Sequence, residues 1–249
     1  MKKILVIGDS CRDVFVRCNA PRLCPDVPVP VLNIINQTEN EGMALNVQAN
    51  ILALGCPCDI LTNSNWHLMT KTRYVHATSN HAFFRVDSPV SAERLAKVPR
   101  NLNYDMIVIS DYNKGFLHEE DISLICSMHD NVFVDTKKRL GPWIRGARCI
   151  KINNSEYEAS LPWIDSDLKD KIVRTMGNQG CEHRGVFYPV QEEADVRDVS
   201  GAGDTFLAGL CVRCLQDGDM EAAIRFANKC ASLVVRHRGV TVVDPKEIN

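Results

Sequence analysis

The sequence predicts an α/β fold: a mostly parallel central sheet flanked by helices, with a small β-flap standing off it. Three observations carry this expectation. Short apolar runs ending in glycine, aspartate or asparagine recur along the chain. Amphipathic stretches with helical spacing lie between or beside them. Two further stretches, rich in proline and β-branched residues, break the alternation.

Taken in order, Lys3–Ile7 (KILVI) runs into Gly8-Asp9, as a strand buried on both faces would. Residues 13–38 carry Pro21, Pro25, Pro28 and Pro30 among β-branched residues and suit the edge of a small sheet. Ala44–Leu54 has helical spacing. Lys71–Val75 and Ala82–Val86, joined by the polar turn Thr78-Ser79-Asn80, complete the flap over 70–87. Met106–Ile109, Asn131–Val134 and Cys149–Ile152 repeat the buried-strand pattern. Glu119–Met128, Asp167–Met176, Thr205–Gln216 and Met220–Val235 are the remaining predicted helices. Strand ends carry Gly8-Asp9, Ser110-Asp111 and Asp135-Thr136, where ligands of open α/β sheets bind.

Composition narrows the function. The 249 residues are 45% hydrophobic and 24% charged, enough for one large domain, 1–249, with the flap inserted from about 13–38 and 70–87. A net charge of −2 without a basic stripe argues against a nucleic-acid surface. No segment approaches a membrane span, and Ile4–Ile7 is too short for a signal peptide's apolar region. The 11 cysteines are odd in number and scattered, which fits free thiols in a reducing cytoplasm. Cys56-Pro57-Cys58 and Cys211-Val212-Arg213-Cys214 lack a second pair at zinc-site spacing. The latter two also fit a buried helix face.

The sharpest motif is Asp198-Val199-Ser200-Gly201-Ala202-Gly203-Asp204 at a helix start. Glycines there let an anion reach the free backbone N–H groups. Asp204 would repel a phosphate, yet could take a proton from a hydroxyl attacking it. A glycine turn with an acid favouring the helix N-terminus explains the same residues. Taken alone, the motif does not choose.

With its companions it resembles the signature of the ribokinase (PfkB) family of sugar kinases. Gly8-Asp9-x-x-x-Asp13 resembles the family's sugar-binding motif, Asn153-x-x-Glu156 its magnesium motif, and Thr175-x-Gly177-x-x-Gly180 its nucleotide turn. Phe226-Ala227-Asn228 and Arg238-Gly239 resemble segments bordering the adenine. The branch most resembled is the D-glycero-β-D-manno-heptose-7-phosphate kinases, often half of a bifunctional ADP-heptose synthase. That likeness rests on Arg22–Pro30, Thr70–Arg73 with Arg85-Val86-Asp87, and Ser110–Gly115. The sequence ends soon after the kinase-like part, so a kinase without the nucleotidyltransferase half is expected.

The resemblance implies a ribokinase-like fold whose flap is a lid, with ATP and Mg²⁺ as cofactors. It implies Asp204 as base and Gly201, Ala202 and Gly203 as the anion hole. It places Asp13, Gly42, Asn46, Lys71, Arg73, Asp111 and Lys114 at the sugar or sugar phosphate. Thr175, Gly177, Gly180, Asn228 and Gly239 would border the nucleotide, and Asn153 and Glu156 would hold the metal through water. A homodimer through the lid is a further expectation. Lys71 and Arg73 would otherwise solvate one lid face, and Lys137-Lys138-Arg139 fits a solvated turn. The chain departs from the family at Glu41, where a glycine near the sugar is usual. It also lacks a long segment around Asn63–Met69 and is shortened before Thr175. Two alternatives stay open: a kinase of another sugar or a nucleoside, and a weakened kinase-fold protein that only binds.

Overall fold

The computed structural model describes residues 2–191 and 195–248. Its main sheet has eight strands in the order β12-β11-β10-β9-β8-β7-β1-β4. The parallel part comprises β1 (Ile4–Gly8), β4 (Cys58–Thr62), β7 (Met106–Asp111), β8 (Val132–Thr136), β9 (Cys149–Asn153) and β10 (Ile172–Thr175). An antiparallel hairpin, β11 (Gly180–His183) and β12 (Val186–Pro189), closes one side.

Alternation along the strands divides the core in two. Ile4, Val6, Met106, Val108 and Phe133 pack with α1 (Ala44–Ala53), α5 (Ala202–Asp217) and α6 (Met220–Val234). Leu5, Ile7, Ile107, Ile109, Val132 and Val134 face the other way, against α2 (Glu119–Met128) and the segments around Leu140 and Leu168. Helices thus cover both faces, which explains why the strands read as unbroken apolar runs. Each fully buried Val, Leu or Ile stabilises the fold by about 1.5–3 kcal/mol.

Strands β2 (Ser10–Leu23), β3 (Pro30–Met43), β5 (Thr70–His76) and β6 (Ala82–Asp87) form a second sheet, ordered β3-β2-β5-β6. The prolines fall where no ladder bond is lost. Pro21 lies beyond the last β2–β5 pair, Cys18 with His76, and Pro30 opens the edge strand β3. A short connection, 63–69, leads from β4 straight into this lid. Asn63 fastens it, accepting from the Ser10 N–H (2.8 Å) and donating to Asn65 (2.9 Å). With the connection so short, β4 is the last strand on that side of the main sheet among the described residues.

One expected helix is overturned. Asp167–Met176 divides into α4 (Ser166–Lys169), whose start is capped by Asp165, and strand β10. Ile172 and Val173 pair with Ile150 and Lys151 of β9, so sheet burial outweighs the helical spacing. Strands β4, β11 and β12 were not anticipated. The magnesium-motif residues open α3 (Asn154–Ser160), with Asn153 as its cap.

Candidate active site

The carboxyl ends of β1, β7, β8 and β9 meet the N-terminus of α5. Gly8 allows the closest strand approach, since a Cβ there would lie 1.9 Å from the Ser110 carbonyl oxygen. Asp9, wholly buried, accepts backbone N–H groups from Tyr112 (2.7 Å) and Phe116 (3.1 Å) and so shapes the loop after β7. Burial and the charge of Asp111 push its pKa up.

Gly201 caps α5 in the left-handed region (φ 81°), and a Cβ there would lie 2.9 Å from Asn46 Nδ2. Behind it stands Asp198, whose carboxylate accepts from the N–H of Ser200 (2.9 Å) and of Gly239 (3.0 Å). Ala202 and Gly203 form the first turn. A Cβ on Gly203 would lie 3.1 Å from Lys151 Nζ, so glycine lets a buried ammonium approach the helix start. Asp204 is 4% exposed; its Oδ2 accepts from Asn46 Nδ2 (3.0 Å) and its Oδ1 from the Tyr112 hydroxyl (2.6 Å). Burial raises its pKa, while these two hydrogen bonds and the Lys151 charge act in the opposite direction.

Around this carboxylate the lid and the sheet supply charge. Asp13 pairs with Arg73, whose guanidinium lies over Phe15 (5.1 Å). Gly42 makes room for Asp13, because a Cβ there would lie 2.2 Å from its Oδ2. The ammonium groups of Lys71 (4.7 Å) and Lys137 (5.2 Å) lie over the Tyr112 ring. Lys137 also pairs with Glu156 (2.6 Å) and Asp135 (3.4 Å), and Lys151 pairs with Asp135 (2.7 Å). Burial works against ionising Asp135, but the two ammonium groups hold its pKa below the usual carboxylate range.

Several expected residues therefore surround one point: Asp13, Gly42, Asn46, Lys71, Arg73 and Gly201 to Asp204. Others stand apart from it. Asp111 is buried beneath the loop, taking Lys138 (2.6 Å) and the Thr136 hydroxyl (2.5 Å). The Lys114 side chain is exposed and lines a depression of about 410 Å³ with Asn113, His118, Glu119, Glu120 and Lys138. Thr175 and Gly177 line another, of about 400 Å³, with Asn153, Ser155 and Arg174. Gly180 opens β11, opposite Pro189 at the open end of the β11–β12 hairpin, where a Cβ would lie 2.1 Å from the Tyr188 carbonyl oxygen. Asn228 donates to that same carbonyl (3.1 Å). Gly239 packs against Phe15.

Two expectations need correction. Glu41 is exposed and lies opposite Arg12, whereas Asp13 shares its lid face with Gly42; the carboxylate is on the face turned from Asp13. Lys137 and Lys138 are not a solvated turn, since both are tied into buried carboxylates. Tyr112, Asp135 and Lys151 were missed as site residues. Asp135 could have been found from its place at a strand end, and Tyr112 from its place in the loop after β7.

A divalent cation fits here only loosely held. Asn153 and Glu156 satisfy each other across the α3 start, and Lys137 occupies Glu156. No cluster of three His, Cys, Asp or Glu side chains capable of holding a metal exists among the described residues. That donor set would suit Mg²⁺ held mainly through water, with Asn153 and Glu156 the residues that would hold it.

Residues 143–247 match the family described as pfkB family carbohydrate kinase. The chain is 28% identical over 306 aligned residues to the bifunctional protein HldE of Helicobacter pylori (strain G27), covering 100% of this chain and 66% of that one. It thus spans just under two thirds of that relative's length. The structure is similar to a ribokinase from Thermotoga maritima (TM-score 0.75, 14% identity, 100% and 98% covered). It is also similar to a nucleoside kinase of the ribokinase family from Methanocaldococcus jannaschii (TM-score 0.72, 16% identity, 100% and 97% covered). Residues 143–247 are thus similar to the pfkB family carbohydrate kinases, and the chain has a ribokinase-like fold.

Proposed function

We propose that this chain is an ATP-dependent kinase transferring the γ-phosphate to a hydroxyl of a sugar phosphate, most like a heptose 7-phosphate kinase acting at the anomeric position. The observation that carries the proposal is Asp204: a buried carboxylate directly after a glycine-lined helix start, beside an ammonium group.

The sugar hydroxyl gives its proton to Asp204 as its oxygen attacks the γ-phosphorus. Charge spreading over the phosphoryl oxygens meets the N–H groups of Gly201 and Gly203 and the Lys151 ammonium, the Ala202 N–H being bonded to the Val199 carbonyl (3.2 Å). One such preorganised donor is worth about 3 kcal/mol of barrier. Asn46 keeps the carboxylate turned toward the acceptor, Asp13 and Arg73 border the sugar, and the lid keeps water out. Bound Mg²⁺ would neutralise the phosphate oxygens, with Asn153 and Glu156 holding its water shell. Arg73 is paired with Asp13 and Lys137 with Glu156 and Asp135, so Lys71, over the Tyr112 ring, is the cation that supports an anionic sugar.

Similarity to HldE, along all of this chain and 66% of that protein, supports the heptose-phosphate reading. On the lid face turned from the site, exposed Ile34, Phe84 and Val86 favour a homodimer through the lid. No helix among the described residues is long and apolar enough to cross a membrane, and the free cysteines suit a cytoplasmic enzyme.

The test is ADP release from ATP with a panel of neutral sugars, their terminal phosphates and nucleosides. A sugar phosphate used in clear preference to its neutral parent is the expected result. Equal use of both removes the sugar-phosphate assignment, and nucleoside use alone replaces it.

A further inference from the structure

Both oxygens of Asp204 are already engaged. Asn46 is an amide that cannot be phosphorylated, but the other donor is a hydroxyl, Tyr112, 2.6 Å from Oδ1. A nucleophile about to lose its proton to this base must sit at that distance. Tyr112 is also firmly placed: its backbone N–H bonds to buried Asp9 (2.7 Å), and its ring has Lys71 and Lys137 over it. We infer that Tyr112 holds the acceptor's place on the base until the sugar arrives, and so keeps a water molecule from being phosphorylated instead.

The inference rests on Asp204 being the base of a phosphotransferase. The reaction it prevents is ATP hydrolysis: a water oxygen bonds to the γ-phosphorus, the bond to the ADP oxygen breaks, and the water proton passes to Asp204. Burial and the Asp204 charge push the Tyr112 pKa well up, so the phenol stays a donor at neutral pH. Removing its oxygen leaves space beside a carboxylate and near two ammonium groups, surroundings polar enough to retain a water. Tyr112 is a positioning residue; it acts through Asp204.

ADP release from ATP without any sugar tests this in the wild type, Tyr112→Phe and Tyr112→Met, each shown folded by near-UV circular dichroism. Methionine serves if phenylalanine does not fold. Sugar-independent hydrolysis is expected to rise by about tenfold, within the range of general-base effects, while the sugar-dependent rate does not rise. Adding Asp204→Asn should abolish the gain. A merely structural tyrosine would lower both rates together. Folded variants that hydrolyse ATP no faster than wild type overturn the inference, as does a gain that survives Asp204→Asn. If the wild type phosphorylates no sugar while Tyr112→Phe hydrolyses ATP through Asp204, the acceptor assignment falls and the inference stands.

Discussion

At Asp204, folding and chemistry pull in opposite directions. Its pKa is raised above 3.8 in the folded protein, chiefly by burial. The folded state therefore keeps a proton over a pH window in which the unfolded chain has lost it. The resulting stability is full below the ordinary carboxylate pKa and is lost as pH rises through the raised value. Asp9 behaves in the same direction. At neutral pH the ionised base is a cost to the fold, incurred for reactivity. We expect Asp204→Asn to melt no lower than wild type at pH 7, with any advantage shrinking as the pH falls toward 4. Thermal melts of both proteins across pH 4–8 check this. A clear loss of stability at pH 7 would show that the carboxylate charge is itself structural.

Among the elements, the lid hairpin is joined to the loops beside the α5 N-terminus. Arg238 donates to the carbonyls of Ala77 (3.1 Å) and Thr78 (2.5 Å), and Asn80 donates to the Arg197 carbonyl (2.9 Å). One residue on from each of Arg197 and Arg238 comes the Asp198–Gly239 bond behind Gly201. Lid position and the loops carrying Asp198 and Gly239 are thus mechanically linked. Arg238→Ala should raise KM for both substrates several-fold, with little change in melting temperature, because the side chain is exposed. Initial rates over a grid of ATP and sugar concentrations measure it; an effect on neither KM dissolves the link. The same elements show what the sequence makes legible. Strands β1, β7, β8 and β9 and helices α1, α2, α5 and α6 stand where their periodicity indicates, because both sheet faces are covered. Asp167–Met176 misled because a four-residue helix and a four-residue strand share one apolar spacing. The hairpin β11–β12 stayed hidden because its strands are short and Val186 and Phe187 are exposed.

Across the whole molecule, the site is assembled from residues far apart in sequence. Asn46 reaches Asp204, Tyr112 reaches it from the other side, and Lys137, Asp135, Lys151 and Glu156 form one charged chain beneath. Motifs marked Asp204 and its glycines, since local spacing suffices there. Nothing local marks Lys151 as an ammonium under a helix start, or turns Glu41 outward. Those facts belong to strand register and packing. In the proposed reaction this assembly makes Asp204 the proton acceptor of phosphoryl transfer. Its test is the rate of sugar-dependent ADP formation by wild type and folded Asp204→Asn across pH 4–8, with ATP affinity measured alongside. The wild-type rate should fall on the acid side as the carboxylate takes up its proton, at a pH above the ordinary 3.8. Asp204→Asn should be slower by about 10²–10⁴ where the wild-type carboxylate is ionised, with the gap narrowing on the acid side and ATP still bound. A folded Asp204→Asn protein with near-normal turnover, or with an acid limb unchanged from wild type, would contradict the claim.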